Sequence, residues 1–334
     1  MRPIFLIVAL VVLMAVLVVA GLCVPYKGFS NEVFLDFPKG TTTREMAEQL
    51  AKAGVIRYPW QFLVMRAMRP GSRLQAGEYR FAAPASVLRL YDRIARGDVF
   101  YYEITVPEGS NIFDISSIVE QSGVIKSGAF LQSAADAKLI EDLDPGALTL
   151  EGYLFPSTYR YTRKTAPDQL VRQMVDQFRK EWKTLTNGTR PGRSVHDTVT
   201  LASLVEKETA VPAERPTVAS VYANRLRIGM KLDCDPTTIY AALLDDRYRG
   251  VIHRSDLASR NTYNTYQHAG LPPGPIASPG LASLKAALAP ADTSYLYFVA
   301  KGDGSGSHNF SSDFAAHEKA VQAYRRAQSK AEAR

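Results

Sequence analysis

Phe37-Pro38-Lys39-Gly40 followed by Gly54-Val55-Ile56, and Val106-Pro107-Glu108-Gly109 followed by Gly123-Val124-Ile125, repeat at a constant offset of 69 residues, 38 to 107 and 54 to 123. Self-similarity at a fixed spacing marks a repeated structural unit. In each copy the Pro presets a turn dihedral and the Gly accepts the positive φ the turn needs. A polar helix start then leads into apolar residues at helical spacing: Met46, Ala47 and Leu50 in the first copy, Ile112, Ile115 and Val119 in the second. A Gly follows that can end the helix in a left-handed conformation. Ala76 to Phe81 reads as a connecting strand. Strand, turn and helix in this order define an α+β module, expected over residues 30–145.

Upstream of it, Ile4 to Val24 is an unbroken apolar or small stretch. At about 1.5 Å per residue a helix of that length crosses the ~30 Å hydrocarbon layer, so residues 1–26 are expected to be a transmembrane anchor. A cleaved signal peptide, with Val18 and Ala20 at its cleavage site, is the competing reading, and its apolar core is ordinarily shorter. The short amino-terminal side carries Arg2, which by the positive-inside rule places the bulk of the chain outside the cytoplasm. The repeated module resembles LysM-like modules, whose families bind the glycan backbone of cell-wall polymers; a plain α+β spacer is the alternative.

The chain has 334 residues, 40 Lys plus Arg against 33 Asp plus Glu, and 46% hydrophobic residues. That balance is too even for a nucleic-acid binder working by charge, and the hydrophobic share excludes a disordered chain. Cys23 and Cys234 offer neither a disulfide framework nor a zinc cluster. The five histidines, His196, His253, His268, His308 and His317, show no metal-binding spacing, and no nucleophile elbow or phosphate loop occurs. No metal or cofactor is expected.

From about residue 146 to 329 Tyr- and Pro-rich loops alternate with amphipathic helices, a second, mixed helical and β domain. Helices are expected at Pro167–Lys183, Val195–Thr209, Glu214–Leu226 (with Gly229 as its cap), Thr237–Leu244, Leu281–Leu288 and Phe314–Ala327, and a buried strand at Tyr295–Ala300. On the second of these helices Leu201, Leu204 and Val205 form an apolar stripe on which Glu208 is the next position. Desolvation there would keep its carboxyl protonated near neutral pH, as a general acid requires. A salt bridge to Arg215, Arg225 or Arg227 is the structural alternative. Glu206, rotated about 160° away at 3.6 residues per turn, is expected to face elsewhere, over Ala202 and Val199. Asp235 is expected to cap the helix after it, in preference to pairing with Asp233 around calcium. Asn261 to Tyr266 sets hydrogen-bonding side chains beside flat apolar rings, the combination that sugars require; a polar surface loop is the alternative.

Leu201 to Thr209, Val221-Tyr222-Ala223-Asn224-Arg225-Leu226, Asp235-Pro236-Thr237, Tyr263 to Tyr266 with Gly270-Leu271-Pro272-Pro273-Gly274, and His308-Asn309-Phe310 together resemble the MltG (YceG-like) endolytic murein transglycosylases of bacterial inner membranes. The likeness spans anchor, LysM-like module and catalytic domain. Cys234 and Glu318 are its small departures. The resemblance implies cleavage of the β-1,4 bond between N-acetylmuramic acid and N-acetylglucosamine in peptidoglycan strands, with Glu208 catalytic. Substrate contacts are assigned to Glu151, Asn224, Tyr263, Asn264 and Tyr266 in a sugar-binding cleft, Glu151 being the rival acid. It also suggests peptidoglycan synthases as partners. A noncatalytic glycan-binding scaffold is the alternative.

Overall fold

A computed structural model of the chain describes residues 2–187 and 192–332. Its contacts divide into two units, Met1–Tyr102 and Glu103–Arg334. The division falls well before residue 145, and the reason is strand pairing. In the first unit β1 (Val33–Phe37) pairs antiparallel with β2 (Gly77–Phe81), Val33 opposite Phe81 and Phe37 opposite Gly77. In the second unit β3 (Tyr102–Thr105) pairs with β4 (Thr158–Tyr161), beyond the expected boundary. The two copies of the repeat therefore belong to different units.

Each copy is strand, two helices, strand. In the first, α2 (Thr43–Lys52) opens with a capping box between Thr42 and Glu45, and α3 (Pro59–Met68) packs beside it. In the second, Asn111 caps α5 (Ile112–Gln121), which packs on α6 (Ser127–Ala134). Gly54 and Gly123 take φ of 71° and 72° at the corresponding helix ends, a conformation only Gly adopts without strain. Between the copies lies α4 (Val87–Arg96), whose Leu90, Tyr91 and Ile94 join Phe37, Leu50, Phe62 and Tyr79 in the first unit's core.

The amino-terminal helix α1 (Arg2–Cys23) contains a stretch, Phe5–Cys23, long and apolar enough to cross a membrane by length and composition. Its last turns also pack on the first unit. Leu22 is 5% exposed and part of that core, Val18 lies against it, and the Gln61 side chain donates to the Gly21 carbonyl at 2.5 Å. Three residues past the helix, Tyr26 exchanges two backbone hydrogen bonds with Ala85.

The second unit is built around α8 (Val195–Glu208). Every residue from Thr198 to Val205 is buried, because α9 (Arg215–Arg227), α10 (Asp235–Leu244) and α12 (Leu281–Leu288) all pack against it or its neighbours. Two of its hydroxyl residues bond their own helix: Thr198 donates to the Ser194 carbonyl and Ser203 to that of Thr200, each at 2.7 Å. Helix α7 (Pro167–Thr186) covers α6, and α11 (Arg254–Leu257) is a single turn after α10. Strands β5 (Tyr297–Ala300) and β6 (His308–Ser311) form an antiparallel hairpin backed by α13 (Phe314–Glu332). β5 is half-buried along its length, not buried as expected, since α13 covers it incompletely.

Candidate active site

Glu208 is the last residue of α8, where the buried helix emerges into a cleft of about 320 Å³. The Tyr222 hydroxyl on α9 donates to its Oε1 at 2.8 Å, and the buried Cys234 thiol at the start of α10 is hydrogen-bonded to the same carboxyl. Burial pushes the Glu208 carboxyl above its ordinary range, and the charge of Asp235 adds to this. The bonds from Cys234 and Tyr222 and the charge of His308 act the other way without cancelling it. The carbonyl end of α8, where the helix dipole is negative, is a further reason for the carboxyl to stay neutral. Among the described residues no guanidinium pairs with it. Arg215 goes to Glu206, Arg225 donates to the carbonyls of Lys231, Leu232 and Leu296 and pairs with Asp233 at 3.7 Å, and Arg227 turns to Asn224.

The cleft around Glu208 combines one acidic side with one flat apolar side. Asp233, Asp235 and Tyr266 form the first, the Tyr266 hydroxyl donating to Asp235 Oδ1 at 2.7 Å. Tyr297, Phe298, Phe314 and His317 form the second, with the Tyr297 and His317 rings stacked at 5.0 Å and the Arg225 guanidinium 5.4 Å over the Tyr297 ring. Burial and the nearby Arg225 charge hold His317 below its ordinary pKa, hence a neutral ring at neutral pH. Hydroxyl-binding carboxylates facing aromatic planes suit a sugar, which has polar edges and apolar faces. Behind Phe298, His308 opens β6 and is clamped by Glu214, which accepts from its backbone N–H at 2.9 Å and meets its Nδ1 at 2.7 Å.

The profile of the YceG-like family matches residues 35–323, nearly the whole chain apart from α1. This protein is a YceG-like family member. A protein of Bacillus subtilis (strain 168) named endolytic murein transglycosylase is 31% identical over 315 residues, 89% of this chain and 86% of that one. One of the same name from Streptococcus pneumoniae (strain D39) is 29% identical over 80% of this chain and 54% of its own length. The crystal structure of a YceG-like protein from Listeria monocytogenes superposes with a TM-score of 0.57 at 27% identity, covering 86% of this chain and 98% of that one.

Within this YceG-like fold the residues singled out from sequence have separate fates. Tyr266 reaches the Glu208 cleft. Glu151 does not: it is 2% exposed, and its Oε2 accepts from the Ile112 N–H and the Tyr240 hydroxyl, each at 3.0 Å, fastening α5 to α10. Burial raises its pKa to about 7, but it has no surface to offer a substrate. Asn264 is fully buried, its amide donating to the carbonyls of Asp256, Leu257 and Ser259 and so knotting its own loop. Asn224 spends its amide on the carbonyls of Thr293 and Tyr295. Its remaining surface faces a larger open groove of about 810 Å³ with Arg193, His196 and Arg227, which shares no lining residue with the Glu208 cleft. Tyr263 lies against Tyr240, ring centres 5.0 Å apart. Asp235 stands inside the first turn of α10 without capping it; the cap position is Cys234.

Glu206 departs most from expectation. Its side chain is 6% exposed and pairs with Arg215, itself 9% exposed, at 3.1 Å, while the Gly280 N–H donates to its other oxygen at 2.9 Å. Glu206 faces away from Glu208, and Lys207 beside it is the exposed position of this last turn of α8. Tyr222, Cys234 and the aromatic side of the cleft escaped sequence reasoning, because nothing in local periodicity brings residues 222, 234, 266 and 297 together. The quoted Val221–Leu226 and Asp235–Thr237 motifs flank two of them and were the available signal.

Proposed function

We propose that this YceG-like protein is an endolytic murein transglycosylase that cleaves the β-1,4 bond between N-acetylmuramic acid and N-acetylglucosamine in nascent peptidoglycan strands. It leaves 1,6-anhydro ends and so terminates strand elongation. The observation that carries the proposal is a desolvated carboxyl, Glu208, with its pKa raised, at the mouth of a cleft of sugar-binding character.

In the first half-reaction Glu208 gives its proton to the glycosidic oxygen as the C1–O bond breaks, and positive charge develops at C1. The carboxyl group of Asp235 lies on the acidic side of the same cleft and favours that charge, while that of Asp233 is paired with Arg225. In the second, the Glu208 carboxylate accepts the proton of the muramic acid 6-hydroxyl while that oxygen closes on C1, which regenerates the acid and consumes no water. Because nucleophile and electrophile belong to one sugar ring, ring closure is intramolecular. A separate nucleophilic carboxylate, which most glycosidases need, is then unnecessary. Tyr222 donating to Oε1 holds the carboxyl in place.

The strand–helix–helix–strand order of the first unit, with its antiparallel pair, supports a LysM-like module that holds glycan. Helix α1 supports an inner-membrane anchor with the catalytic unit on the periplasmic side, within reach of peptidoglycan synthases. The test uses the full chain in detergent, incubated with glycan strands and read by mass spectrometry. Wild type yields anhydro ends, and Glu208→Gln yields about 10²-fold fewer or less. Undiminished products from the variant, or reducing ends from wild type, would exclude the reaction; strands bound but left intact would point to a glycan-binding scaffold.

A further inference from the structure

We infer that α3 is a membrane-docking helix whose outer face lies in the headgroup and acyl boundary of the bilayer beside α1. The inference rests on the reading of α1 as a membrane span. The span Phe5–Cys23 has 19 residues, about 28 Å of helix, close to the ~30 Å hydrocarbon thickness it must match. Val18 then sits about 7 Å inside the boundary at 1.5 Å per residue. Whatever packs on Val18 and Leu22 shares that depth, and what packs there is the first unit, through α3 and α4. The contact with α3 is close. Gln61 bonds the Gly21 carbonyl, and a Cβ placed on Gly21 would come within 3.4 Å of the Trp60 ring.

The sequence of α3 fits this depth. Phe62 and Met65 fill the core of the first unit. On the other side Trp60, Leu63 and Ala67 are exposed at i, i+3 and i+7, with Val64 half-buried between them, and Tyr58 and Met68 extend the patch at either end. A short helix that is apolar on both sides has one side too many for a protein surrounded by water. At the boundary of a bilayer the arrangement is the expected one: a Trp and a Tyr at headgroup level, aliphatic side chains just below. The neighbouring cations suit the same plane. Arg57 lies 5.0 Å over the Tyr26 ring and Lys27 5.1 Å over the Phe29 ring, which leaves both charges at the level of lipid phosphates.

Trp60 makes the test direct, since the chain has two tryptophans and the other, Trp182, is buried in the second unit. The full chain is placed in nanodiscs of phosphatidylcholine brominated either near the glycerol end or near the methyl end of the acyl chains. The Trp60 signal is the emission of wild type less that of Trp60→Phe. It is expected to fall by about half or more with bromine near the glycerol end, to fall less with bromine near the methyl end, and to resist acrylamide. A control, Val12→Trp in the Trp60→Phe background, reports on α1 itself. A quenched control beside a Trp60 that acrylamide reaches and bromine does not would overturn the docking and leave the span intact. If neither is quenched, the membrane reading of α1 fails and the docking with it.

Discussion

Glu206 and Glu208 are two residues apart on one helix and do unlike work. At the end of α8, Glu208 meets a hydroxyl and a thiol, groups that bond a neutral carboxyl without forcing it to ionise. Glu206 meets a guanidinium and a backbone N–H. Removing the Tyr222 hydroxyl removes a bond that lowers the Glu208 pKa, so Tyr222→Phe should carry the Glu208 proton to higher pH. The alkaline limb of its kcat/KM profile is expected to shift upward relative to wild type. Glu206→Gln leaves the buried Arg215 with only the longer, 3.9 Å pair to the exposed Glu108 carboxylate and should cost about 3 kcal/mol of stability, read as a lowered denaturation midpoint. The Glu208 position was legible because an acid on an apolar stripe violates the pattern around it. The role of Glu206 was not, because the pattern of one helix cannot tell how many of its sides the rest of the chain will cover.

At the scale of elements, the repeat was legible to the turn: both Pro-x-Gly corners and both helix-ending glycines fall where the sequence places them. Strand partners were not. Nothing near Tyr102 announces that its strand will pair across more than fifty residues with Thr158–Tyr161, and that long-range choice moved the unit boundary. Glu151 is the cost of that arrangement, a carboxyl enclosed between α5 and α10. Its pKa rises from an ordinary 4.5 to about 7, so between those values the folded chain binds the proton that the unfolded chain has released. Stability therefore falls as pH rises through that window, by up to about 3 kcal/mol in all. Glu151→Gln should flatten this fall while leaving stability near pH 5 almost unchanged, as thermal midpoints over a pH series would show. His196 acts in the same direction at higher pH. Its Nδ1 meets Asp144 at 2.8 Å and its Nε2 the Pro273 carbonyl at 2.9 Å, and the bond to Asp144 raises its pKa. The stability it lends is complete below its ordinary 6.5 and is lost as pH climbs through the raised value.

For the molecule as a whole, composition and length indicated two folded parts and an apolar leader, and the core of each part is its own. They did not indicate that the leader is also a structural member. Leu22 is as enclosed as the residues of the first unit's core, so Leu22→Ala should destabilise that unit by about 2–4 kcal/mol, measured by hydrogen exchange at the amides of α3 and α4. The Tyr26–Ala85 bridge carries the same coupling one step outward. Between Cys23 and Tyr26 stand only Val24 and Pro25, three backbone steps that span about 10 Å at full stretch. With α1 embedded, the first unit stays within that distance of the lipid surface.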